Sequence, residues 1–113
     1  MTNADRMLEA LAEPVRREIV KRLVERPSAV TELARDMPIS RSAVSQHLQV
    51  LKRAQLVIDH AAGTRRIYQV DPDALAILRA YFESFWNRSL ATFRELADSD
   101  HRKETCADDP TRG

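Results

Sequence analysis

Only Pro38-Ile39-Ser40 separates two stretches whose apolar residues recur at helical spacing. Upstream, Val30, Leu33, Ala34 and Met37 share one face; downstream Val44, Leu48 and Leu51 do, with Gln55 extending the inner stripe. Pro38 stops the first helix, because it has no N–H to donate and pushes the preceding residue out of helical geometry. Ser40 suits the N-cap of the second helix, and Ser28 is expected to cap the first. So short a turn between two amphipathic helices is the spacing of a helix-turn-helix. The rest of the chain has to build around that pair.

Met7, Leu8 and Leu11 predict a short leading helix, and Pro14 opens another at a position where a missing N–H costs nothing. Val15, Ile19, Val20, Leu23 and Val24 follow at helical spacing until Pro27. The pattern changes at Leu56. LVIDH and RRIYQV are rich in β-branched and aromatic residues, and AAGT between them holds a turn glycine, which predicts a β-hairpin. Asp71-Pro72-Asp73 supplies a cap, a proline and a first-turn acid for a last helix carrying Leu75, Leu78, Phe82, Phe85, Ser89, Phe93 and Leu96. Beyond Ala97 the apolar periodicity stops. The expected division is a folded domain over 1–97 and a disordered polar tail over 98–113.

Several function classes fall away on composition. No apolar run approaches the roughly 18 residues of a membrane span, and MTNADRMLEALAEPVRR has no apolar core of a secretory signal. The single cysteine, Cys106, excludes an internal disulfide framework and fits a reducing cytoplasm, the expected location. Glycine occurs only at 63 and 113, so no glycine-rich phosphate loop is present. No Ser-His-Asp, Cys-His or paired-carboxylate arrangement stands on a plausible scaffold, which argues against an enzyme.

Charge placement points elsewhere. Residues 37–58 contain no Asp or Glu, in a chain with 17 of them. Residues 1–70 carry 12 Lys and Arg against 8 acids, and residues 71–113 carry 6 against 9. At about 100° per residue, Ser42, Gln46, Gln49 and Arg53 point away from the Val44-Leu48-Leu51 stripe, with Ser45 and Lys52 on one flank. Such a face suits a DNA major groove, where Gln pairs with adenine and Arg with guanine. A carboxylate there would repel the flanking phosphates. Arg41, Ser42, Ser45, Gln46 and Gln49 are therefore the candidate base-edge contacts. His47, Lys52, Arg65 and Arg66 are the candidate phosphate contacts, the last two on a hairpin wing beside Gly63-Thr64. Leu78, Phe82, Phe85 and Phe93 form an apolar seam suited to pairing two subunits.

ALAEPVRREIVKRL, VTELARDMPISRSAVSQHLQVLKRAQLV and GTRRIYQVDPDAL together resemble the ArsR/SmtB-type winged-helix transcriptional repressors, over about Leu8 to Leu96. SRSAVSQHLQVLKRAQLV is the most specific part. The resemblance implies a mainly α winged helix-turn-helix, four helices, a two-stranded wing and a last helix. It also implies a homodimer built on the first and last helices and an inverted-repeat operator in double-stranded DNA.

The family's usual metal motifs are missing. TELARDM has no cysteine, and DPDALAILRAYFESFWNRSLATFRELAD has no histidine, so neither helix offers the N and S donors that tetrahedral zinc takes. No metal site and no cofactor is expected. Asp98, His101, Glu104 and Cys106 in the polar tail are the remaining metal candidates, and a solvated tail is the simpler account of them. The sequence-based function is a non-metal-responsive DNA-binding repressor whose small-molecule effector is unknown. Two alternatives stay open: a sensor of an apolar small molecule or of redox state on the same fold, and a helical protein-interaction module.

Overall fold

Thr2 and Asp5 form a capping box at the start of α1 (Asn3–Leu11), each side chain accepting from the other's backbone N–H. In the computed structural model, residues 2–107 are described, with side chains described over 2–99. α1 buries Ala4, Met7 and Ala10. Pro14 opens α2 (Pro14–Glu25), whose first turn is capped by Glu13 accepting from the Arg16 N–H at 3.0 Å. α3 (Val30–Asp36) and α4 (Arg41–Arg53) follow across the expected turn. Ser40 caps α4 as expected, its Oγ accepting from the Ala43 N–H at 3.1 Å.

Two local expectations fail. Ser28 does not cap α3. Ala29 holds that position, and its N–H donates to Glu32 Oε1 at 2.9 Å. Ser28 is buried, and its backbone exchanges hydrogen bonds with Tyr68 while its hydroxyl donates to the Arg26 carbonyl. A buried backbone pair has to be satisfied, and this one is satisfied across the fold. Gln55 is not on the inner stripe either. It lies past the end of α4, exposed, with φ 64°. Its N–H donates to the Lys52 carbonyl and the Leu56 N–H to the Leu51 carbonyl, both at 3.0 Å. That is a Schellman ending, which needs a left-handed residue at this point and turns Leu56 and Val57 into the core.

β1 (Val57–Ala62) and β2 (Arg65–Val70) pair antiparallel, from Val57 opposite Val70 to Ala62 opposite Arg65. Gly63, at φ +66°, and Thr64 make the two-residue connection, the pattern of a type II′ turn. Alternation along β1 puts Val57 and Asp59 on one face, with Tyr68 opposite Asp59. Val57 and Tyr68 join Met7, Ile19, Leu23, Leu33, Val44, Leu48, Leu51 and Leu56 in a single core.

Asp71 starts α5 (Pro72–Ala107), its carboxylate accepting from the Asp73 N–H at 2.9 Å. Residues through Arg79 belong to one compact unit that includes this core, and Ala80 begins a second. In the first, Ile77 and Leu78 are partly buried against the core. Taken by itself, the second is, over its described residues, the remainder of α5. There Tyr81 meets Phe82 and Phe85 edge-on, at centroid distances of 5.8 and 4.9 Å. Phe82, Phe85, Trp86, Phe93 and Leu96 are exposed. α5 continues beyond Ala97 to Ala107, so it overlaps the first part of the 98–113 segment; 108–113 lies outside the described residues.

Candidate nucleic-acid interface

α4 turns its outer face to solvent because Val44, Leu48 and Leu51, all fully buried, fix its rotation. Arg41, Ser42, Gln46 and Gln49 are exposed along that face, and Ser45 and His47 are half-buried at its edges. The first turn has no acid, and its free N–H groups favour an anion nearby. Arg41 also lines a shallow depression at the turn with Thr31, Ala34, Ile39 and a second guanidinium, Arg35. Arg35 was not among the candidates read from sequence; its place becomes visible only when α3 packs beside α4.

Three of the candidate phosphate contacts, Lys52, Arg65 and Arg66, are ion-paired within the fold. Lys52 Nζ lies 2.9 Å from Asp59 Oδ1, and Arg66 Nε lies 2.8 Å from Asp59 Oδ2. The Asp59 side chain is only 7% exposed. The hydrogen bond from Lys52 overcomes the effect of burial and, with the charges of Lys52 and Arg66, holds this carboxyl below the usual carboxylate range. Arg65 pairs with Glu32, which also accepts the Ala29 N–H. That N–H, together with the Arg65 charge, lowers the Glu32 carboxyl too. Lys52 and Arg66 therefore meet at one carboxylate, and Arg65 is held by another from α3. Sequence reading named the three cations and missed both acids. The available signals were Asp59's shared face with Val57 and Glu32's place three residues after Ala29, a capping-box position.

No helix among the described residues is long and apolar enough to cross a membrane. Among the described residues no group of three or more His, Cys, Asp or Glu is placed to hold a metal ion. His101, Glu104 and Cys106 lie outside the described side chains.

Residues 11–60 match a helix-turn-helix domain family. The chain is 57% identical over 96 residues to the HTH-type transcriptional regulator Rv2034 of Mycobacterium tuberculosis, covering 85% of this chain and 90% of that one. An ArsR-like transcriptional regulator from Rhodococcus sp. RHA1 superposes with a TM-score of 0.71 at 26% identity, over 84% of this chain and 92% of that one. A homodimeric winged helix-turn-helix DNA-binding domain, Mb0332 from Mycobacterium bovis and a possible ArsR-family regulator, superposes with a TM-score of 0.63 at 28% identity, over 78% and 82%.

Proposed function

Since the chain belongs to the ArsR/SmtB-type winged helix-turn-helix transcriptional regulators, we propose that it is a repressor that binds an inverted-repeat operator as a homodimer, without a metal in its switch. The observation that carries this is the exposed, acid-free face of α4, where Arg41, Ser42, Gln46 and Gln49 stand clear of the core beside Lys52. Ser45 completes the base-reading set, and His47, Lys52, Arg65 and Arg66 meet phosphate. A two-fold dimer would present two such faces about 34 Å apart, one DNA turn. Exposed Phe82, Phe85 and Phe93 on α5 supply an apolar face for pairing, and a homodimer is supported by the homodimeric state of the similar domain from Mycobacterium bovis.

The test is a footprint on the DNA upstream of the chain's own coding region, followed by anisotropy on the protected duplex. A palindromic footprint bound by a dimer is expected, and stoichiometric zinc, arsenite or cadmium is expected to leave it bound. Release by metal from the full chain, absent from a chain ending at Ala97, would make the segment beyond Ala97 the sensor.

One observation favours a second reading, in which an apolar small molecule acts as effector. A recess of about 500 Å³ has Met7, Val57, Ala74 and Ile77 on its lining, interleaved with the polar and charged Lys52, Gln55, Asp59, Asp71 and Asp73. Thermal-shift screening with apolar compounds tests it, and no hit that also alters DNA affinity would retire it.

A further inference from the structure

Asp59 stands against the charge pattern of the surface around it. It is the first acid after a long acid-free stretch, and it lies beside two cations read as phosphate contacts. A carboxylate near DNA repels phosphate, so affinity alone would favour its absence. Burial makes it costlier still, because a charge taken out of water needs partners of good geometry. Both of its oxygens have one: Oδ1 the Lys52 ammonium and Oδ2 the Arg66 Nε.

We propose that Asp59 is a positioning residue for DNA recognition, one that fixes Lys52 and Arg66 relative to each other so that the α4 face meets base edges in a single register. The two cations come from different elements, Lys52 from the last turn of α4 and Arg66 from β2 of the wing. One carboxylate on the inward face of β1 therefore ties recognition helix to wing. It does so without consuming their capacity to bind. Lys has three donors and Arg five, so each keeps N–H groups for phosphate after the contact with Asp59. What they lose is rotamer freedom, which long cationic side chains otherwise give up only on meeting DNA.

The two effects of Asp59 act in the same direction on discrimination. Its charge lowers attraction to any DNA, and its hold on the two cations favours the duplex that fits them. Removing it should strengthen binding to arbitrary sequence while weakening, or failing to strengthen, binding to the preferred one. A residue that only supported the fold would weaken both together.

This inference rests on reading Lys52 and Arg66 as phosphate contacts, and the experiment separates the two. The full chain selects a duplex from a random pool, and anisotropy then measures its affinity for that duplex and for a scrambled one of the same composition, over a salt series. Asp59→Asn should cut the ratio of the two affinities roughly three- to thirtyfold, with the scrambled duplex bound at least as tightly as by the parent. In a Lys52→Ala/Arg66→Ala background, Asp59→Asn should change the ratio no further. An unchanged ratio, or equal weakening on both duplexes at unaltered thermal stability, would overturn the role of Asp59. If Lys52→Ala and Arg66→Ala leave affinity and salt dependence untouched on both duplexes, the phosphate reading itself falls. Should Asp59→Asn not fold, Asp59→Glu keeps the charge and displaces the carboxylate. It should lower the ratio without tightening scrambled DNA, and an unchanged ratio again overturns the inference.

Discussion

Ser28 and Tyr68 exchange both backbone hydrogen bonds, Ser28 N–H to the Tyr68 carbonyl at 3.0 Å and Tyr68 N–H to the Ser28 carbonyl at 2.9 Å. The bridge fastens the segment before α3 to the wing's second strand, far along the chain. It contributes to holding wing and helix-turn-helix together, which the proposed DNA-binding surface, drawn from both, requires.

Ser28→Ala removes only the hydroxyl bond to the Arg26 carbonyl and should cost about 0.5–1.5 kcal/mol. Ser28→Pro removes the N–H as well, leaves the buried Tyr68 carbonyl without its donor, and should cost a further ~1–3 kcal/mol. Urea midpoints at constant m-value measure both. Equal midpoints for the two variants would show that the bridge adds nothing.

Gln46 is exposed on the outer face of α4. Gln46→Ala should lose roughly 1–3 kcal/mol on the preferred duplex and less on random DNA. Arg65→Ala should instead weaken both and lower the salt slope by about 1. Equal losses from Gln46→Ala on the two duplexes would remove it from the base readers.

Phe85 is 47% exposed although Tyr81 covers one edge of its ring. Phe85→Glu places a charge on the face proposed to pair two subunits and should give monomer or aggregate in sedimentation, with operator binding lost. A folded variant that still sediments as a dimer would put the interface elsewhere.

Acid should weaken the tie between α4 and the wing. Because the folded Asp59 carboxyl titrates below its ordinary value, its stabilisation is complete above that value, about pH 4. It is lost as pH falls through the lower, folded value. Below about pH 4 the parent chain should therefore lose stability more steeply with falling pH than Asp59→Asn in urea titrations. Parallel curves would mean that the two cations do not hold this carboxyl differently in the folded state.

Local signals along the chain determined most of the architecture. The apolar steps of α2 and α4, the stop at Pro38, the cap at Ser40 and the turn at Gly63 act over a few residues, so their consequences can be read in order. The exposed face of α4 was legible for the same reason: once Val44, Leu48 and Leu51 are inside, helical geometry leaves Gln46 and Gln49 outside. Tertiary structure decided what happens where local and distant partners compete. Ser28 had a local use as a cap, yet Tyr68 took its backbone. Gln55 fitted a helical stripe, but the chain had to reverse there to bury Leu56. Lys52 and Arg66 read as phosphate contacts, and that Asp59 lies between them became visible only on packing, because an ion pair depends on distances that only the folded chain brings about.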